Sequence, residues 1–193
     1  MHLSPKLALL ATGLWMAASV LAQDIEAGKA KAQVCAACHG ADGNAVAPIY
    51  PNLAGQTWRY LYVQLKDFKE GRRSNEFMTP MAAALSREDM INIANYFAAQ
   101  PVKANPFEPD EAKVKLGKAK ADETLCSMCH QGGFSGQNEI PRVAGQQYDY
   151  VITQLRNFKA RTRTNDAGNM TSVAQTLSET DMENLAHYIT SLR

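Results

Sequence analysis

The amino-acid sequence contains a second copy of itself, and this duplication limits the possible fold more than any other feature. The segment GKAKA at residues 28–32 recurs at residues 117–121, and the motif CAACH at residues 35–39 recurs as CSMCH at residues 126–130. Further matches follow in the same order, and equivalent positions lie 89 to 92 residues apart. An internal repeat of this length predicts one folding unit that occurs twice in tandem.

The two copies meet in a proline-rich stretch. Residues 100–109 read QPVKANPFEP, and the three prolines would stop a helix and favour an extended linker. We place the boundary near residue 105. The predicted domains are therefore residues 23–104 and residues 105–193.

The first 22 residues have the pattern of a secretory signal peptide. Lys6 precedes an almost wholly apolar run at residues 7–20, and the small residues of Val20-Leu21-Ala22 directly precede the expected cleavage point. We predict cleavage before Gln23. The alternative is an uncleaved membrane anchor, which the shortness of the apolar run disfavours. In an oxidising compartment free thiols would be unusual.

The charge balance argues against two classes of partner. Lysine and arginine number 20 and the acidic residues 19. This balance gives no electrostatic reason to bind nucleic acid or to coat an anionic membrane.

Apolar residues recur at helical spacing in both copies, and no alternating stretch is long enough to predict a strand. Each copy is expected to form three main helices: one that ends near the CxxCH motif, a second, and a third that begins at a Ser-x-x-Asp cap. The apolar face of the second helix contains Leu61, Leu65 and Phe68, matched by Val151, Leu155 and Phe158. The apolar stripe of the third helix contains Met90, Ile93, Ala94 and Phe97 in the first copy, and Met182, Leu185, Ala186 and Ile189 in the second. The predicted fold class is all-α. A unit of roughly 80 residues with three short helices buries little apolar surface, so we expect a cofactor at its centre.

The CxxCH motif in each copy predicts covalent haem. Two thiols one helical turn apart can add to the two vinyl groups of haem, and the adjacent histidine can coordinate the iron. The predicted residues are Cys35, Cys38 and His39 in the first copy and Cys126, Cys129 and His130 in the second. A four-cysteine zinc site would leave the histidines unexplained, a thioredoxin-like pair would need a βαβ context, and a disulfide within CxxC would be strained.

Methionine is the predicted second iron ligand, and the repeat sorts the candidates. Met78 and Met170 are equivalent, and both lie in predicted loops before the third helix. They are our predicted axial ligands; the other interpretations are that they pack on a porphyrin edge, with Met81 as the competing ligand in the first copy. His187 aligns with an asparagine, which favours a surface or hydrogen-bonded histidine over a ligand.

An iron that holds both histidine and methionine has no open position for a substrate. Electron transfer at a fairly high potential, rather than catalysis, is therefore expected. Two other functions stay open: a dihaem peroxidase, which needs a displaceable ligand, and a dedicated electron-transfer subunit of a larger oxidoreductase. Basic residues on and after the second helix could form a positive docking rim or simply a solvated helix face. They are Lys66, Lys69, Arg72, Arg73, Arg156, Lys159, Arg161 and Arg163.

The mature chain resembles the cytochrome c4 family, whose members are periplasmic electron carriers built from two tandem class I cytochrome c domains. The resemblance rests on CAACH at residues 35–39, PNLAGQ at residues 51–56 and MTPMA at residues 78–82. The second copy departs from this pattern where Arg142 and Val143 replace Asn-Leu, and where two additional residues precede Met170.

The resemblance implies two covalent haem c groups that face each other across a domain interface, each within about three main helices. In class I cytochromes c, a proline carbonyl accepts a hydrogen bond from the axial histidine. Pro51 and Pro141 are by this resemblance the candidate acceptors; the other interpretation is that they only shape a loop. The implied partners are redox proteins, such as a quinol-oxidising donor complex and a terminal oxidase or reductase. Membrane association would occur only through such partners.

Overall fold

A computed structural model describes residues 25–193, and the predicted signal peptide at residues 1–22 lies outside this range. Over the described residues the chain is helical, and its only β-type pairing is an isolated bridge between Gln137 and Ile140. No helix among the described residues is long and apolar enough to cross a membrane. The predicted all-α fold is confirmed.

The helices of the two copies follow each other in the same order. In the first copy they are α1 (residues 25–32), a 3₁₀ turn (Gln33–Cys35), α2 (Ala36–His39), α3 (Trp58–Lys69), α4 (Met78–Ala83) and α5 (Arg87–Ala98). In the second copy they are α6 (Glu111–Glu123), α7 (Cys126–Cys129), α8 (Gln131–Phe134), α9 (Tyr148–Lys159), α10 (Asn169–Gln175) and α11 (Glu179–Ser191). Gly132 and Gly133 have positive φ, so α8 is a distorted turn.

The third main helix of each copy begins as predicted. The side chains of Ser86 and Ser178 each accept a hydrogen bond from the backbone N–H three residues later. The carboxylates of Asp89 and Asp181 in turn accept from the backbone N–H of the serine. These are complete capping boxes. The predicted apolar stripes of α5 and α11 are buried throughout.

The first and third main helices of each copy cross at a glycine. A Cβ atom on Gly28 would lie 2.1 Å from the carbonyl oxygen of Asn92, and one on Gly117 would lie 2.0 Å from that of Asn184. Only a residue without a side chain allows the two backbones to approach this closely.

Met78 and Met170 do not lie in loops, as the sequence analysis expected, but on the short helices α4 and α10. Side chains just before each helix accept hydrogen bonds from its first turn. The side chain of Asn75 accepts from the backbone N–H of Met78 at 2.9 Å, and that of Asp166 accepts from Thr171 N–H at 2.6 Å. With six and seven residues, they are too short to show a helical period in the sequence.

The segment after α5 has no helix over residues 101–110 and is held by both copies. Lys103 N–H donates to the side chain of Asn44 at 2.9 Å. Further along, the ring of Phe107 stacks on Tyr148 with 4.6 Å between centroids. The linker therefore contains no helix, in line with its prolines, and packs against both domains.

Candidate functional site

The CxxCH motif of each copy lies just beyond the first main helix. Cys35 ends the 3₁₀ turn and Cys38 lies on α2, whereas Cys126 and Cys129 both lie on α7. Within residues 25–193 none of the four cysteines is joined to another by a disulfide, so each sulfur can serve in haem attachment.

The histidine of each motif is buried and held in one orientation. His39 is 5% exposed and donates through Nδ1 to the carbonyl oxygen of Pro51 at 2.9 Å. His130 is 8% exposed and donates through Nδ1 to Pro141 at 2.9 Å. A carbonyl can only accept, so the proton is on Nδ1 and the lone pair on Nε2.

Both imidazoles are also neutral. Burial lowers the pKa of His39 and of His130, and this effect outweighs the hydrogen bond to the proline carbonyl, which raises it. Within residues 25–193 no group forms a hydrogen bond with either Nε2 atom. A neutral ring with an available Nε2 and a fixed Nδ1–H is the form in which histidine binds a metal.

The two predicted methionine ligands are half-buried at equivalent places. Met170 packs on the same hydrophobic cluster as Cys126, so the fold brings the predicted ligand and an attachment cysteine to one core. Met78 is also half-buried, whereas Met81 is 44% exposed. Met128, between the two cysteines of α7, is 64% exposed.

The chemistry of these donors fits haem c and does not fit zinc. Paired thiols, a neutral imidazole and a thioether are the groups that attach and ligate haem c. Within residues 25–193, no group of three or more His, Cys, Asp or Glu side chains comes together to hold a metal ion. The four cysteines thus do not converge on one centre.

His187 is a hydrogen-bonded core residue, in line with its prediction. Its Nδ1 accepts from the backbone N–H of Asp110 at 3.1 Å, at the start of α6. Its ring packs against Phe107 and Tyr148.

Two glutamines join the domains at the loops that follow the histidines. Asn52 N–H donates to Oε1 of Gln146 at 2.7 Å, and Nε2 of Gln146 donates to the carbonyl of Asn52 at 3.0 Å. In the mirror arrangement, Arg142 N–H donates to Oε1 of Gln56 at 2.7 Å, and Nε2 of Gln56 donates to the Arg142 carbonyl at 2.8 Å. Asn52 and Arg142 directly follow the prolines that bind the histidines.

Two arginines form a second reciprocal contact between the domains. Arg163 is buried, Arg73 is half-buried, and neither forms an ion pair with a carboxylate of residues 25–193. Arg73 donates to Gln64 (2.7 Å), Tyr150 (3.0 Å) and Gln154 (3.1 Å), and Arg163 donates to Gln154 (2.8 Å), Tyr60 (3.1 Å) and Gln64 (3.2 Å). Burial raises the pKa of Tyr150, but the charges of the two guanidinium groups outweigh burial and lower it.

These contacts show that the basic residues do not all belong to one docking rim or one solvated helix face. Arg73 and Arg163 lie between the domains. Lys69 and Lys159 donate to backbone carbonyls before α5 and α11, and Arg156 pairs with a glutamate. Sequence reasoning missed the interface role because an arginine after an amphipathic helix is typical of a solvated face.

Both copies match the family model described as Cytochrome c, over residues 25–100 and residues 114–193. Fold and motifs therefore define a protein of two tandem cytochrome c domains. Cytochrome c4 of Pseudomonas aeruginosa is 41% identical over 190 residues, which cover 94% of this chain and 92% of the relative. The crystal structure of reduced recombinant cytochrome c4 from Pseudomonas stutzeri matches with a TM-score of 0.81 and 38% identity, covering 87% of this chain and 98% of that one. The chain belongs to the cytochrome c4 family.

A further relative has a name that states a function. The thiosulfate dehydrogenase electron acceptor of Stutzerimonas stutzeri is 34% identical over 172 residues, which cover 83% of this chain and 80% of the relative. Membership of the family establishes two covalent haem c groups and a role in electron transport, as the paired CxxCH motifs predict.

Proposed function

We propose that this protein is a periplasmic dihaem electron carrier that exchanges electrons with redox proteins and performs no catalysis of its own. The observation that carries the proposal is the state of the two motif histidines. Each is buried and has its Nδ1 bonded to a proline carbonyl, so that Nε2 is the nitrogen that can bind iron. Because both domains repeat this arrangement, both are suited to the same redox role.

Each haem would be held by the residues of one domain, with boundaries at residues 23–104 and 105–193. Cys35 and Cys38 would form the thioethers of the first haem, and His39 and Met78 its axial ligands. The corresponding residues for the second haem are Cys126, Cys129, His130 and Met170. When bound, the haem iron supplies one-electron redox chemistry.

The protein side chains would set the direction and ease of that chemistry. The proline carbonyl fixes the plane of the imidazole, and the thioether favours the reduced iron, which raises the potential. With one histidine and one methionine of each domain as iron ligands, no ligand position would remain for a substrate. This ligand set supports a carrier over a peroxidase.

Redox proteins are the proposed partners, with a quinol-oxidising complex as donor and a terminal oxidase or reductase as acceptor. Export by residues 1–22 would place the carrier in the periplasm, where membrane association would occur only through these partners. The similarity to a thiosulfate dehydrogenase electron acceptor supports a second candidate, a dedicated electron-accepting subunit of one oxidoreductase. Isolation of the native protein in a stable heterocomplex would favour that second function.

The ligand assignment is tested by replacing each methionine. In Met170→Ala we expect the weak near-infrared band of methionine-ligated ferric haem to fall to about half, and one reduced haem per chain to bind carbon monoxide. Met78→Ala should give the same result for the other haem. The exposed Met128→Ala is the control and should keep the full band.

The outcomes separate the candidate functions. A full band in Met170→Ala would show that the ligand assignment is wrong. Rapid carbon monoxide binding by the unmodified reduced protein would show an open iron position and would support the peroxidase instead.

A further inference from the structure

We propose that Gln56 and Gln146 are positioning residues that act across the domain interface, each on the haem ligand of the opposite domain. Gln146 would set the redox potential of the first haem through Pro51 and His39. Gln56 would set that of the second through Pro141 and His130. The proposal rests on the axial roles assigned to the two histidines under the proposed function.

A single peptide group connects each histidine to the glutamine. The carbonyl of Pro51 accepts from Nδ1 of His39 at 2.9 Å, and the N–H of the same peptide group, on Asn52, donates to Gln146 at 2.7 Å. The two bonds lie at opposite ends of one conjugated amide. Hydrogen bonds in such a chain polarise each other, so the bond to Gln146 makes the Pro51 carbonyl a stronger acceptor.

The second domain repeats the same chain of contacts. The carbonyl of Pro141 accepts from His130 at 2.9 Å, and the N–H of Arg142 donates to Gln56 at 2.7 Å. Arg142 stands where the first copy has an asparagine, but the contact with Gln56 is retained because it involves only the backbone N–H and carbonyl of residue 142.

Both glutamine amides are buried, and each forms three hydrogen bonds that fix its orientation. Oε1 of Gln146 also accepts from Gln147 N–H at 2.9 Å, and Oε1 of Gln56 also accepts from Thr57 N–H at 3.0 Å. The Nε2 atoms donate to the carbonyls of Asn52 and Arg142. If the amide were rotated by 180°, its NH₂ group would point at two backbone N–H donors, which is unfavourable. Oε1 therefore stays directed at the N–H that follows the proline.

The expected effect on the haem follows from the donor strength of histidine. A stronger acceptor at Nδ1 makes the imidazole a better electron donor through Nε2, which stabilises ferric iron and lowers the potential. Loss of the glutamine oxygen should therefore raise the potential of the haem in the other domain.

The experiment compares Gln146→Met and Gln56→Met in the protein with both haems attached. Methionine keeps the chain length and removes the acceptor. Two quantities are measured: the potential of each haem by redox titration, and the exchange rate of each assigned histidine Nδ1–H by NMR. In Gln146→Met, the potential of the first haem should rise and exchange at His39 should accelerate by up to about twofold, because polarisation through the peptide group strengthens the His39 bond by only about 10–30%. Gln56→Met should do the same at the second haem and His130.

Two further variants separate positioning from simple loosening of the interface. Gln146→Glu retains an acceptor oxygen and should restore slow exchange at His39. Gln154→Met removes a different interdomain glutamine, which contacts the arginines and not a proline peptide, and should leave exchange at both histidines unchanged.

The results that would overturn the inference are distinct from those that would overturn the proposed function. The role of the glutamines would be refuted if the potential of the affected haem fell or did not change, or if the effect appeared at the haem of the same domain or equally at both haems. An effect of Gln154→Met as large as that of Gln146→Met would refute it as well. Absence of two histidine-methionine haems from the unmodified protein would refute the proposed function itself.

Discussion

At the scale of single residues, the ring of His187 illustrates how burial determines protonation. Its Nδ1 accepts the N–H of Asp110, which requires the unprotonated nitrogen. Burial lowers its pKa below the ordinary value of 6.5, and the charge of Lys113 lowers it further. The neutral ring therefore belongs to the native state of the second domain.

We expect His187 to make the stability of the protein depend on pH. A group with a lower pKa in the folded state contributes its full stabilisation above the unfolded value of 6.5 and loses it as the pH falls. Between pH 7.5 and pH 5, the free energy of unfolding should decrease less in His187→Asn than in the unmodified protein. Asparagine occurs at the equivalent position of the first copy, Asn95, and can also accept a hydrogen bond. Urea unfolding at several pH values measures the difference, and identical pH slopes would contradict the expectation.

The proposed haem-binding residues follow from the sequence because the chemistry of haem attachment requires a fixed spacing. Two thiols and a histidine in CxxCH have few other uses, and the repeat excluded most methionines by position. The sequence could not show the neutral state of His39 or the use of its Nδ1, because both depend on burial by residues distant in the chain.

At the scale of helices, the long elements were predictable and the short ones were not. Helices α3, α5, α9 and α11 each present a repeated apolar face, and α5 and α11 also begin at a readable cap. Helices α4 and α10 are preceded instead by Asn75 and Asp166, whose side chains accept hydrogen bonds from residues at the start of each helix. Helices of one or two turns leave no periodic signal in the sequence.

The crossing of α6 and α11 gives a prediction at this scale. Gly117→Ala places a methyl group against the backbone of Asn184, which cannot move independently of its helix. Overpacking of this kind typically costs about 1–3 kcal/mol, and the higher helix propensity of alanine returns at most about 1 kcal/mol. We expect a net destabilisation of about 2 kcal/mol in denaturant unfolding of the second domain. Lys115→Ala, at an exposed position of the same helix, should change stability by less than about 0.5 kcal/mol, and equal effects of the two variants would refute close packing at the glycine.

At the scale of the whole molecule, the interface has the symmetry of a two-fold dimer although it joins parts of one chain. Gln56 and Gln146, and likewise Arg73 and Arg163, are each 90 residues apart and make matching contacts in opposite directions. An isologous interface has this self-complementary form. The sequence showed the repeated glutamine motif, but not what it contacts, because a glutamine in a loop has no single preferred partner.

Arg163 should couple the stability of the two domains, because it is buried and bonds to Tyr60 and Gln64 of the first domain. Arg163→Ala leaves Tyr60 without its charged donor and leaves Gln64 with only the bond from Arg73 as a charged contact, which we expect to cost about 1.5–3 kcal/mol of interdomain stabilisation. Once residues 1–22 are removed, Trp58 is the only tryptophan, so its fluorescence follows unfolding of the first domain alone. A substitution in the second domain should thus lower the denaturant midpoint reported by a probe in the first. Lys115→Ala, at an exposed position of the second domain, is the control and should leave the tryptophan midpoint unchanged. If Arg163→Ala also left it unchanged, the arginine contacts would not couple the two domains.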